Sequence, residues 1–140
     1  MNVANSTPAL RFRAKNQWID GSHNHTTIKE FYGGRQEDTS RTVPFVFDND
    51  EPPILLEDNK GANPVEFILH GLAGCLASSM ILHAAAREIP VEKVESALEG
   101  ELDVQGLRGL DDSARNGYEG IRVTFRLALS VYYSQKVEIN

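Results

Sequence analysis

Asn63 to Pro90 reads NPVEFILHGLAGCLASSMILHAAAREIP, and its punctuation marks one long helix. Asn63 is a good N-cap, because its side-chain oxygen can accept from the first unpaired backbone N–H groups. Pro64 suits the first helical position, and Glu66 stands where a capping-box carboxylate reaches back to the cap. Pro90 stops the pattern, which leaves a helix of about 25 residues and ~37 Å. From Phe67 to Ala86 the chain carries no Asp, Glu, Lys or Arg, over a length that suffices to cross a bilayer. His70, His83, Ser78, Ser79, Gly71, Gly74 and several alanines keep its hydrophobicity modest. A helix that is apolar on most sides and only modestly hydrophobic suits the middle of a domain better than a membrane. Gly71 and Gly74 each cost about 1 kcal/mol relative to Ala inside a helix. Their expected return is close approach of another helix or backbone.

Strands flank the helix. Upstream, Leu10, Phe12, Ala14, Asn16 and Trp18 alternate with Arg11, Arg13, Lys15 and Gln17, the period of two of a half-buried strand. Asp20-Gly21-Ser22 is a turn, and a second, less regular strand is expected from about Thr26 to Tyr32. Gly33 to Thr42 (GGRQEDTSRT) reads as a polar loop, Val43, Phe45 and Phe47 mark a third strand, and Asp48 to Pro53 closes this half. Downstream, Val94, Ser96, Leu98, Gly100, Leu102 and Val104 alternate with Glu95, Glu99, Glu101 and Asp103. Ile121, Val123, Phe125, Leu127 and Leu129 alternate with Arg122, Thr124 and Arg126. One strand is acidic outside and the other basic, so antiparallel pairing would match opposite charges across the ladder. Val131 to Asn140 reads as one more short strand. The order βββ–α–ββ predicts an α+β fold, a long helix packed on antiparallel sheet.

The chain's 140 residues suit one domain. A net charge of −6 argues against a general nucleic-acid binder and against attraction to an anionic membrane. The single cysteine, Cys75, excludes an internal disulfide framework and any multi-cysteine metal site. The first ten residues, MNVANSTPAL, lack a basic start and an apolar run, so a cytoplasmic protein is expected.

Cys75 is the obvious nucleophile, set against the alternative that it is a small buried hydrophobe. At one hundred degrees per residue its helix face includes Gly71, Leu72, Ser78, Ser79 and Leu82, without an adjacent base. It lies about three turns from the helix start, beyond the macrodipole, so an arginine or histidine from another element must activate it. Glu66 points to the opposite side, and its capping role suffices. His70 and His83 sit some 140° and 80° around the helix from Cys75, so neither is poised for a Cys–His pair. His23 and His25 (GSHNH) have a spacing that can bind a metal, but no third ligand is evident and a solvated hairpin is expected. Arg35 and Arg41 are the basic residues nearest a loop that could fold over the helix, or are merely exposed.

Gly61 to Cys75, GANPVEFILHGLAGC, resembles the signature of the OsmC/Ohr family, the osmotically inducible and organic-hydroperoxide-resistance proteins. In these an NPxE- or NPEx-like opening leads a buried helix to a reactive cysteine twelve residues after the Asn, an interval that Asn63 and Cys75 keep. The resemblance takes in the preceding strands and continues through Val94 to Gly106. It implies an intertwined homodimer whose central helices pack together, and thiol-dependent reduction of hydroperoxides. It also implies an activating arginine, for which Arg35 is the candidate. Peroxidatic members carry Glu directly after the Pro, where this chain has Val65, and they resolve the oxidised thiol with a second cysteine on a closing helix. Residues 1–140 are therefore read as one OsmC-like domain, abbreviated at its C-terminus. The expected function is hydroperoxide reduction of reduced competence by Cys75, with a small-molecule hydroperoxide and an external thiol reductant as partners and no cofactor or metal. The alternative is a non-catalytic ligand-binding or structural homodimer with Cys75 buried.

Overall fold

The computed structural model describes residues 9–130. The chain divides into two compact units, Met1–Pro64 and Val65–Asn140. The strands of the first unit are β1 (Lys15–Asp20), β2 (His23–Ile28), β3 (Phe31–Gly33), β4 (Gln36–Asp38) and β5 (Phe45–Asn49). β1, β2 and β5 form one antiparallel sheet in that order, and β3 and β4 form a separate hairpin. β1 begins at Lys15, later than the alternation from Leu10 predicts. The preceding residues instead lie along β3, where Arg11 and Tyr32 exchange backbone hydrogen bonds of 2.9 and 3.0 Å and Phe12 meets Phe31 at 5.4 Å between ring centres. The predicted second strand is split, its N-terminal part pairing with β1 and its last residues entering the hairpin.

The stretch expected as a loop from Gly33 to Thr42 contains β4. Gly34 and Arg35 form a two-residue turn with φ of 60° and 68°, the left-handed pair whose twist matches a hairpin. After β5 the chain is held by Asp50, 2 % exposed. Its carboxylate accepts from Ser22 Oγ at 2.6 Å and from the backbone N–H groups of Glu51 and Lys60 at 2.8 and 2.9 Å. These bonds, that from Ser22 foremost, hold the Asp50 carboxyl below its ordinary range. They tie the β1–β2 turn to the segment before the long helix. Gly61 lets that segment approach closely: a Cβ there would stand 2.2 Å from the Asp48 carbonyl oxygen. Gly61→Ala is expected to lower stability by about 1–3 kcal/mol in a denaturant melt. Gly117→Ala, whose Cβ would meet nothing within 4 Å, serves as the neutral control.

The second unit carries α1 (Pro64–Ala86), β6 (Val91–Glu101), α2 (Val104–Leu107) and β7 (Gly120–Leu129). α1 stops at Ala86, ahead of Pro90, because Glu88 turns left-handed at φ 55°. The N–H of Ile89 then reaches back to the Ala84 carbonyl and that of Glu88 to Ala85, the bonding pattern of a Schellman stop with Glu where glycine is usual. β6 and β7 pair antiparallel as their charges predict, with Glu95 opposite Arg126 and Glu99 opposite Arg122. Arg122 donates to Glu99 at 3.0 Å. On the other face Leu98 opposes Val123 and Ser96 opposes Phe125. β6 ends at Glu101 instead of continuing to Val104, because Asp103 accepts from the N–H groups of Gln105 and Gly106 and starts α2. Sheets and one long helix give the α+β architecture that the sequence predicts. The expected strand at Val131 to Asn140 lies outside the described residues.

Among the described residues no hydrophobic side chain is buried. α1 is long and apolar enough to cross a membrane by length and composition, and none of its residues is buried. A Cβ on Gly71 or Gly74 would meet nothing within 4 Å. The close approach expected at these glycines is not made among the described residues.

Candidate functional site

α1 presents two unlike faces. Val65, Leu69, Leu76, Met80 and Ala84 are half-covered and recur at helical spacing. On the other side Ile68, Gly71, Cys75, Ser78 and Leu82 are open, with Ile68 and Leu82 exposed at 57% and 69%. Cys75 is a free, exposed thiol. Among the described residues of one chain the cysteine stands in the middle of an open apolar strip.

The other titratable groups of α1 stay away from it. His70 meets Phe67 edge-on at 6.3 Å. His83 belongs to the helix end, where Arg87 Nη1 donates to its carbonyl at 3.1 Å. At the helix start the Tyr118 hydroxyl donates to the Val65 carbonyl at 2.7 Å. Burial, with the nearby charge of Glu66 second, raises the Tyr118 hydroxyl above its usual pKa near 10. The contact places the Glu66 carboxylate by the β6–β7 connection, a position that a capping role alone does not predict.

Arg35 occupies the tip of the β3–β4 hairpin in the first unit, and Cys75 lies in the second. Arg41, read as a possible activator or an exposed residue, is half-buried and structural. Its guanidinium lies 5.0 Å from the Phe31 ring centre and 5.4 Å from that of Phe45. It also donates to the Lys29 carbonyl at 3.0 Å.

The sequence offered His23 and His25 without a third ligand, and the sheet supplies one. His25 pairs directly with Asp48 across the β2–β5 ladder, and His23, two residues away, shares its face. His23 Nε2 and His25 Nδ1 lie 2.8 and 2.6 Å from Asp48 Oδ1. The His23 hydrogen bond leads in holding the Asp48 carboxyl below its ordinary range, and the charges of both imidazoles add to it. His25 adds a weaker hydrogen bond of its own, and its Nδ1 is shielded from solvent against the carboxylate.

A family model described as OsmC-like protein matches residues 57–137, more than half of the chain and a span that includes α1 and the β6–β7 ribbon. No curated protein matches it. With the NP opening, the Asn63–Cys75 interval and the α+β architecture in agreement with that match, the chain belongs to the OsmC-like protein family.

Proposed function

We propose that the protein is a thiol-dependent hydroperoxide reductase of the cytoplasm, acting in oxidative-stress defence as a homodimer of single OsmC-like domains. The observation that carries this reading is the free thiol of Cys75 on an open apolar face, at the family's spacing from Asn63. The Cys75 thiolate attacks the outer oxygen of an organic hydroperoxide. The O–O bond breaks, the alcohol leaves with a proton, and sulfur is oxidised to sulfenic acid while the peroxide is reduced. The sequence holds one cysteine, so an external thiol condenses with the sulfenic acid and releases water. A second thiol equivalent then frees Cys75 and leaves as the oxidised disulfide of the reductant. The apolar neighbours Ile68 and Leu82 favour bulky organic hydroperoxides over hydrogen peroxide.

Mass spectrometry after treatment with cumene hydroperoxide tests the reading. Oxygen added at Cys75 ahead of either methionine supports it. An unmodified Cys75 beside oxidised methionines means an inert thiol and leaves the non-catalytic homodimer. Arg35 is the proposed activating cation. Arg35→Ala is expected to slow Cys75 alkylation at neutral pH, while Arg41→Ala leaves its rate unchanged once folding is verified. Equal rates in Arg35→Ala and the parent would remove Arg35 from the site.

A further inference from the structure

We propose that His23, His25 and Asp48 form a binding site for a divalent first-row transition-metal ion, of which Zn2+ and Co2+ are the natural probes. The site is independent of the thiol chemistry. One ligand atom from each residue lies within 4.8 Å of the others, and all three stand on one face of the β2–β5 pair. Two imidazole nitrogens and one carboxylate oxygen suit a borderline metal, whereas Mg2+ and Ca2+ select oxygen donors. Zinc binds imidazole nitrogen and carboxylate oxygen at about 2.0–2.2 Å, so tetrahedral ligands stand roughly 3.3–3.5 Å apart. The observed 2.8 and 2.6 Å separations from Asp48 Oδ1 need only a small side-chain rotation to open to that spacing. Three protein ligands leave the fourth position to water or a small anion.

The placing of His25 Nδ1 is the second sign. It is shielded from solvent and aimed at the Asp48 carboxylate, 2.6 Å from Oδ1. A metal ion at the centre of the three groups would be ligated by the lone pair of that nitrogen and by the carboxylate oxygen it faces. The frame beneath the site is well fixed. Gly61 packs on the Asp48 backbone, and Asp50 locks Ser22, the residue before His23. His23 is largely enclosed, while His25 and Asp48 are about 40% exposed, so an ion can enter from solvent.

The test is calorimetric titration of the full-length, chelator-treated protein with Zn2+, and with Co2+ followed by its visible absorption. One saturable site per chain is expected. Asp48→Asn, which keeps the shape of the side chain, and His25→Gln should each weaken it at least about tenfold. Cys75→Ser and His83→Ala should leave it within about twofold. Circular dichroism of each variant before titration separates loss of a ligand from loss of fold. The absence of a saturable site in the parent would overturn the proposal. So would unchanged affinity in folded Asp48→Asn, or loss of binding in Cys75→Ser.

Discussion

Cys75→Ser is expected to reduce turnover of organic hydroperoxide to the background rate of hydroperoxide with dithiol, a loss of about three orders of magnitude or more if the thiol is the sole nucleophile. The substitution exchanges sulfur for oxygen on an exposed helix face, so the fold should persist and the comparison stays fair. In the parent, turnover should need an added dithiol, because the one cysteine of the sequence has no internal partner. Excess peroxide without dithiol should drive the sulfenic acid on to sulfinic acid and silence the protein irreversibly. Equal rates for parent and variant would end the peroxidase reading.

The second large effect is on assembly. Ordering each residue costs about 1–2 kcal/mol of backbone entropy. With no hydrophobic side chain fully buried among the described residues, their packing offsets only part of that cost. The OsmC-like resemblance implies a second copy whose central helix packs on α1, and Gly71 and Gly74, which meet nothing among the described residues, are where it would approach. Light scattering without detergent should give twice the chain mass. Unfolding should depend on concentration, with each tenfold increase in protein adding about 1.4 kcal/mol of apparent stability. Gly74→Leu and Ala77→Leu should then differ in kind. Gly74 is open and Ala77 half-covered, so the first should weaken association and the second should strain the chain at every concentration. A cooperative monomer with a concentration-independent midpoint would refute this, and a need for detergent would favour the membrane reading of α1.

Some of this was legible in the sequence and some was not, for identifiable reasons. The antiparallel pairing of β6 with β7 could be read because one strand is acidic outside and the other basic, and the register sets Glu95 and Glu99 against Arg126 and Arg122. The start of α1 was written locally, in Asn63 and Pro64. Its end was not, since a left-handed Glu88 carries no composition signal. β4 was hidden because three polar residues, Gln36 to Asp38, have no apolar alternation to show. Asp48 was missed as a partner for the histidines because the contact is set by pairing across the sheet, not by spacing along the chain. The exposure of Cys75 was beyond reach altogether, for a helix pattern shows which residues share a face and not what covers that face.

The left-handed Arg35 implies a trade-off within the hairpin. An L-residue with a side chain costs roughly 1–2 kcal/mol at such a φ, where glycine costs almost nothing. Arg35→Gly should therefore tighten the β3–β4 hairpin while removing its cation. If the guanidinium serves the thiol, the same substitution makes a more robust protein and a slower reagent. A sequence selected for durability alone would place glycine at this turn, so the arginine there is a residue that the backbone tolerates rather than requests.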